Sequence, residues 1–156
     1  MIPPRKRREV NIPAHALPHR SPEALLELSR HGVLEARDTR QPGLRYATAH
    51  LAALRAAAAV LAARARPAAP GRRRGGRPVS VWALLAMVAP ELGEWAAFFA
   101  AGAAKRAAAE AGIPRVVTVR EADDMVRDAE RFLAVVETTL GRPHQSLLDT
   151  AVPRAG

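Results

Sequence analysis

An arginine and a histidine five residues apart are the side chains in this sequence most able to do chemistry together. Arg45 and His50 lie in the segment "RYATAH", at the start of an alanine-rich stretch. A guanidinium can hold a phosphate, and an imidazole whose pKa lies near neutrality can act as a general acid or base at a 2′-hydroxyl. Together the two groups would suit metal-free cleavage of RNA.

Helical geometry limits how this pair can act. Five residues on an α-helix rotate a side chain by about 500°, so Arg45 and His50 project roughly 140° apart. They converge only if Arg45 lies in a non-helical lead-in, or if a partner subunit completes the site. Tyr46 and His50, four residues apart, share a face, which would let Tyr46 orient the imidazole. The structural alternative is that His50 borders an apolar seam while Arg45 and Tyr46 extend toward water.

Other catalytic and metal-binding patterns are missing from the sequence. There is no cysteine, which favours a reducing compartment, and there is no Glu-x-x-His, Gly-x-Ser-x-Gly or Gly-x-x-x-x-Gly-Lys motif. We therefore expect neither a metal ion nor a cofactor. Asp123 and Arg127, four residues apart on the last predicted helix, are expected to form a surface ion pair.

The formal net charge of +9 is concentrated in two segments, residues 1–20 with +4 and residues 64–79 with +6. Basic segments of this kind can hold a nucleic-acid backbone without sequence preference. An arginine-rich composition also leaves such charge on solvated linkers, and both interpretations stay open. The candidate backbone contacts are arginines of these segments: Arg5, Arg7, Arg8, Arg72, Arg73 and Arg74.

Apolar periodicity predicts helices in the first half of the chain. Ser21 and Pro22 are typical of a helix start, and that helix is expected to run to about Thr39. A second helix is expected from near Arg45. Its apolar seam, at spacings of four and three, consists of Ala47, Leu51, Leu54, Ala58 and Leu61. Its apolar back consists of Ala53, Ala57 and Val60, which favours packing against a second chain and hence a homodimer.

The second half of the chain predicts the remaining helices. Ser80 caps a helix that Pro90 interrupts, and the helix after Pro90 ends at Gly112. A small face around Gly102 allows close helix packing. The bulky face of the same helix consists of Leu92, Trp95, Phe98 and Phe99. Thr118 and Glu121 form a capping box at the start of the last helix. Its seam is Ala122, Met125, Ala129, Phe132 and Val136, and Gly141 ends it.

These elements predict an all-α fold, a four- to five-helix up-and-down bundle. We expect a basic proline-rich disordered tail over residues 1–20, one bundle over 21–141 with a flexible basic loop at 65–79, and a disordered tail over 142–156. The chain shows no secretory signal, and its uncharged runs are shorter than the roughly 20 residues of a membrane span. A cytoplasmic protein without membrane contact is therefore expected.

The order of these segments resembles a HEPN domain (higher eukaryotes and prokaryotes nucleotide-binding). The most specific stretches are "RYATAHLAALRAAAAVLAARARP" and "APELGEWAAFFAAGAAKR", and the chain is most similar to a small alanine- and arginine-rich actinobacterial branch. The resemblance covers roughly residues 20–141 and implies a helical bundle that often pairs as a dimer. Many members are metal-independent endoribonucleases with an Arg-(four to six residues)-His motif between protomers. Others are RNA-binding, nucleotide-binding or scaffolding modules.

Carried over to this chain, the resemblance implies that Arg45 holds phosphate, that His50 is the acid/base and that Tyr46 orients it. The family's motif usually lies toward the last helices, whereas here the last predicted helix has arginines and no histidine. Two functions are therefore expected as alternatives. One acts on RNA, as an endoribonuclease or as an RNA- or nucleotide-binding module. The other is a non-catalytic dimerisation or adaptor module that docks a protein partner.

Overall fold

The protein is an all-α bundle, as the sequence predicts. A computed structural model describes residues 11–12, 18–67 and 79–142. Its helices are α1 (Pro22–Asp38), α2 (Pro42–Arg64), α3 (Val81–Val88), α4 (Gly93–Glu110) and α5 (Val119–Thr139). A single 3₁₀ turn, Pro90–Leu92, joins α3 to α4. A two-residue strand, Asn11–Ile12, pairs in parallel with Arg66–Pro67. Most of the expected tails and loop lies outside these residues, so the division into segments stays a prediction.

The four long helices, α1, α2, α4 and α5, run alternately up and down. The start of α1 meets the end of α5, where Arg142 forms an ion pair with Glu23. The start of α2 meets the end of α4, since a Cβ placed on Gly43 would lie 3.5 Å from the Cβ of Ala109. As a result α2 and α5 begin at the same end of the bundle, and α1 and α4 run against them.

Local signals place most helix ends correctly. The Ser21 hydroxyl accepts a hydrogen bond from the Ala24 amide, and the capping box of Thr118 and Glu121 is complete. Helix α2 begins three residues earlier than predicted, because the Gln41 side chain caps it and Pro42 occupies the first turn. Glutamine is not among the preferred capping residues, which is why the sequence pattern missed it. The earlier start makes Arg45 helical.

Helix α2 forms the centre of the core. Its fully buried residues, which have no exposed surface, are Ala49, His50, Ala52, Ala53, Ala56, Ala57, Ala59, Val60 and Leu61. The predicted seam is wrong in its middle, where Leu51, Leu54 and Ala58 are only partly buried. In the middle of α2 small side chains face the neighbouring helices because they permit close backbone approach, and Leu51 and Leu54 lie at the border.

The apolar back of α2 is covered by the chain itself. Ala53, Ala57 and Val60 are completely buried in a single copy. The argument for a dimer from this surface is therefore wrong, and the homodimer itself stays a prediction. Among the described residues α2 is the one helix long and apolar enough to cross a membrane, and most of it is buried inside the bundle. Its central position accounts for that composition.

Helix α4 is held by one face only. Leu92 and Phe99 are buried and Trp95 is partly buried, whereas Phe98 is 45 % exposed. The predicted bulky face is therefore wrong for Phe98, which lies about 100° around the helix from Phe99. A Cβ placed on Gly102 would lie 2.7 Å from the Tyr46 hydroxyl oxygen, so this glycine leaves room for the Tyr46 side chain, and the close helix packing expected there stays a prediction.

Replacing Gly32 by alanine should destabilise the protein. A Cβ at Gly32 would lie 2.9 Å from the Cβ of Ala52, so α1 would have to move away from α2. Overpacking should outweigh the gain of about 1 kcal/mol in helix propensity and lower the free energy of unfolding by about 1–2 kcal/mol. Urea unfolding measures this difference.

Gly93→Ala is the matched control, because a Cβ at Gly93 would meet no atom within 4 Å. That variant should be as stable as the parent or more stable by up to about 1 kcal/mol. Equal stabilisation by both substitutions would contradict the close α1–α2 contact.

Candidate functional site

The candidate catalytic residues lie on the first turns of α2 and point toward different neighbours. Arg45 faces α5, where its Nη1 atom lies 2.8 Å from Oδ1 of Asp123. His50 faces α4, where its Nε2 atom lies 2.8 Å from the carbonyl oxygen of Phe99. The divergence expected from helical geometry is confirmed. Within one chain, Arg45 and His50 do not converge on a common space.

The ion pair of Arg45 changes the pairing expected on α5. Asp123 is bound to Arg45 rather than to Arg127, and Arg127 pairs with Asp124 at 2.6 Å. The predicted Asp123–Arg127 pair is therefore wrong. Asp124 lies three residues before Arg127, and this spacing also brings side chains together on a helix. Because Arg127 pairs with Asp124, Asp123 can pair with Arg45 and connect α5 to α2.

His50 is a core residue with no exposed surface. Because a carbonyl oxygen can only accept, Nε2 of His50 carries the proton and donates to Phe99. Its Nδ1 atom is buried without a hydrogen-bond partner. The rings of Trp82 and Phe99 pack edge-on around the imidazole, with centroids 5.8 and 5.9 Å away. A substrate has no path to either ring nitrogen in this arrangement.

Burial sets the protonation state of His50. Desolvation lowers its pKa from the usual range, and the nearby charge of Arg106 acts in the same direction. The hydrogen bond to the Phe99 carbonyl and the charge of Glu110 oppose this shift and are smaller in effect. The imidazole is therefore neutral at pH 7, which suits a buried side chain whose single donor is satisfied.

Tyr46 packs beside His50, as their spacing of four predicts. The two rings are stacked, with centroids 6.4 Å apart and planes 15° from parallel. Tyr46 is 6 % exposed, and burial raises its pKa. Its hydroxyl lies over Gly102 of α4, where a larger residue would collide with it. In this position Tyr46 fills the space between α2 and α4.

The remaining candidates from the sequence can be placed only in part. Arg5, Arg7, Arg8, Arg72, Arg73 and Arg74 lie outside the described residues. The described residues carry 15 basic and 13 acidic side chains, so they hold only +2 of the net charge of +9. Among them no group of three or more histidine, aspartate or glutamate side chains could hold a metal ion. The catalytic role of Arg45, Tyr46 and His50 stays a prediction.

Three features of the structure were not found from the sequence. A buried ion pair joins α1 to α5, with Nη2 of Arg30 lying 3.4 Å from Oε2 of Glu137. The second feature, called the α4 outer face below, is a set of exposed apolar residues: Ala97, Phe98, Ala100, Ala101, Ala104 and Ala107. A signal for it exists, because residues 95–104 contain no charged side chain.

The third feature is an open groove of about 190 Å³ at the end of the bundle where α2 and α5 begin. We call it the end groove, and its lining residues are Gln41, Pro42, Gly43, Ile113, Arg115, Val116 and Val117. It forms where the connection between α4 and α5 passes the first turn of α2. No sequence pattern indicates it, because its two sides lie about 70 residues apart in the chain.

Comparison with protein families matches residues 36–137 to the SAV_6107-like HEPN family, which is about two thirds of the chain. The chain belongs to this family. The matched range begins in the last turn of α1 and continues into α5, so it includes the whole of α2 with Arg45, Tyr46 and His50. Comparison with curated proteins and with solved structures gave no match.

The stability of this HEPN protein should fall at mildly acidic pH because of His50. The pKa of His50 is lower in the folded than in the unfolded chain. The contribution of the neutral imidazole to the free energy of unfolding is therefore complete above about pH 6.5, and it is lost as the pH falls toward the folded pKa. One such proton gives a slope of at most about 1.4 kcal/mol per pH unit. Unfolding by urea between pH 7.5 and 5 measures it.

His50→Gln should reduce this slope, since an amide nitrogen can still donate to the Phe99 carbonyl but does not titrate. His31→Gln is the control, because His31 lies 68 % exposed on α1. An unchanged slope in His50→Gln would show that other groups cause the acid sensitivity.

Proposed function

We propose that this HEPN protein is a non-catalytic dimerisation and adaptor module that docks through the α4 outer face. The observation that carries the proposal is the exposure of α4. Of its 18 residues only Ala96 and Phe99 are buried, and the exposed apolar residues follow one another along the outer side. Contiguous apolar surface of this kind is typical of a protein interaction site.

The burial of His50 supports a non-catalytic role. A general base must reach the proton that it removes. His50 has no exposed surface, and its Nε2–H group donates a hydrogen bond to the Phe99 carbonyl. The second group of the expected pair, Arg45, is bound to Asp123. Both side chains thus have structural partners within the chain.

The charges next to the α4 outer face favour an apolar partner. Lys105 forms an ion pair with Glu121 of α5, and Arg106 lies 3.7 Å from Glu110 one turn along α4. The exposed positions between Glu94 and Lys105 are alanines and Phe98. A phosphate backbone would find no cation there, whereas a helix with small apolar residues can approach closely.

A second copy of the chain fits this surface. In a two-fold antiparallel arrangement of α4 helices centred at Ala101, Phe98 of one copy lies over Ala104 of the partner subunit. The same symmetry places the exposed Glu94 of one copy over Ala108 of the partner subunit, so like charges do not meet. The surface is thus complementary to itself in size, as a two-fold interface requires.

Ala101→Glu should weaken self-association by at least about tenfold, because the interface would then bury two like-charged carboxylates, one from each copy, next to each other. Sedimentation velocity across a concentration series measures the dissociation constant. Ala24→Glu places the same charge at an exposed position of α1 and should leave that constant unchanged. A parent protein that stays monomeric at high concentration would overturn the proposed dimer.

Purified protein should not cleave a labelled mixed-sequence RNA in EDTA in any way that depends on His50. His50→Gln, shown by its circular dichroism to be folded, is the comparison. Cleavage by the parent that disappears in the folded variant would instead support the alternative, a metal-independent endoribonuclease using Arg45, Tyr46 and His50. In that case the imidazole must become exposed in solution.

A further inference from the structure

The end groove combines an apolar wall with an exposed cation. Its lining includes Ile113, Val116 and Val117 on one side and Pro42 with Gly43 on the other. Arg115 is the basic residue of this lining, and it is exposed. The volume of about 190 Å³ is below the roughly 300 Å³ of the smallest usual small-molecule pockets, so the groove suits one anchoring side chain.

The surface around the groove is unusually apolar for an exposed helix end. Six large hydrophobic residues of the described chain are strongly exposed, and three of them border this groove. Ile113 is part of its lining and is 54 % exposed. Leu44, at 58 %, directly follows the lining residue Gly43, and Val119, at 63 %, is the first residue of α5, two positions after the lining residue Val117. This clustering indicates a surface that another molecule covers.

Positive charge at the same end is not neutralised within the described part of the chain. Arg115 lines the groove, while Arg40 precedes the lining residue Gln41 and Arg120 follows Val117 by three positions. None of these three arginines takes part in an ion pair between described residues. Three acidic residues nearby in sequence pair with other cations: Asp123 with Arg45, Glu121 with Lys105 and Glu110 with Arg106. The exposed Asp38, two positions before Arg40, offsets one of the three arginine charges and leaves a surplus of positive charge at this end.

The backbone of Arg115 is strained. Its φ of 60° lies in the left-handed region, which costs a non-glycine residue roughly 1–2 kcal/mol. Gly112, three residues earlier, reaches positive φ without this cost. A glycine at position 115 would relieve the strain, so folding alone does not explain an arginine there. A backbone outlier of this kind is typical of a functional site, and the side chain that it carries is the exposed guanidinium of Arg115.

We infer that the end groove binds an acidic peptide segment of a partner protein. One apolar side chain of the peptide enters the groove, and flanking carboxylates pair with Arg115, Arg40 and Arg120. Single-stranded RNA would also be attracted by arginines, but the lining offers no aromatic ring for base stacking. The inference does not depend on self-association, because the end groove and the α4 outer face share no residue.

The test is a titration of ¹⁵N-labelled full-length protein with an eight-residue peptide that has one leucine between glutamates. We expect concentration-dependent amide shifts confined to residues 41–44 and 113–120. Two further probes are the same peptide with lysine for glutamate and an eight-nucleotide single-stranded RNA. Both should bind at least about tenfold more weakly than the acidic peptide.

Arg115→Gly separates binding from folding. Relief of strain should leave the protein as stable as the parent or more stable, while affinity for the acidic peptide should fall by about tenfold. Arg127→Ala is the matched control, because Arg127 is an exposed arginine of α5 whose ion pair is with Asp124. It should bind the peptide like the parent.

Three results would overturn the inference. They are no shift at millimolar acidic peptide, RNA binding at least as tight as the acidic peptide, and equal losses of affinity in Arg115→Gly and Arg127→Ala. Amide shifts centred on α4 would also contradict it, because the peptide would then bind the α4 outer face.

Discussion

The close packing of an alanine-rich central helix is the constraint on which the rest of this fold depends. An alanine buries little apolar area, so α2 contributes to the core only if its neighbours approach its backbone closely. The chain meets this demand with Gly32 on α1, where a methyl group would lie 2.9 Å from the Cβ of Ala52, whereas Gly102 on α4 leaves room for the Tyr46 hydroxyl. Leu51 and Leu54 of α2 consequently lie at the border of the contact, whereas Leu61 near the end of the helix is fully buried.

Close approach also explains what happens to the polar residues of α2 and its neighbours. When helix backbones are near one another, a short side chain can reach the carbonyl group of the next helix. The Ser29 hydroxyl donates to the Ala52 carbonyl at 2.7 Å, and His50 reaches the Phe99 carbonyl at 2.8 Å. Both residues are fully buried, and each links two helices. The position of His50 thus follows from the packing of α2 against α4.

Local signals in the sequence predicted the ends of helices, whereas contacts between helices could not be read from it. Ser21 and the Thr118–Glu121 capping box act within four residues, so their outcome does not depend on the rest of the fold. The seam of α2 failed because this helix is apolar on all sides, and periodicity then cannot identify the core face. The pair of Arg45 with Asp123 joins residues 78 positions apart, which no spacing rule connects. For the candidate site, the shared face of Tyr46 and His50 was predictable, but the burial of His50 was not.

Aromatic side chains explain how α4 can be held firmly and still present an apolar outer surface. The ring of Phe99 stacks with Trp82 at 5.0 Å and tilts against Phe132 of α5 at 5.1 Å, while Trp95 contacts Phe132 at 5.5 Å. Such pairs add to the gain from burial, so a few rings can anchor a helix. With the anchor concentrated in this cluster, the alanines on the opposite side are not needed for folding. Charged residues there would improve solubility without cost to the core, so folding of the single bundle does not require the uncharged stretch over residues 95–104.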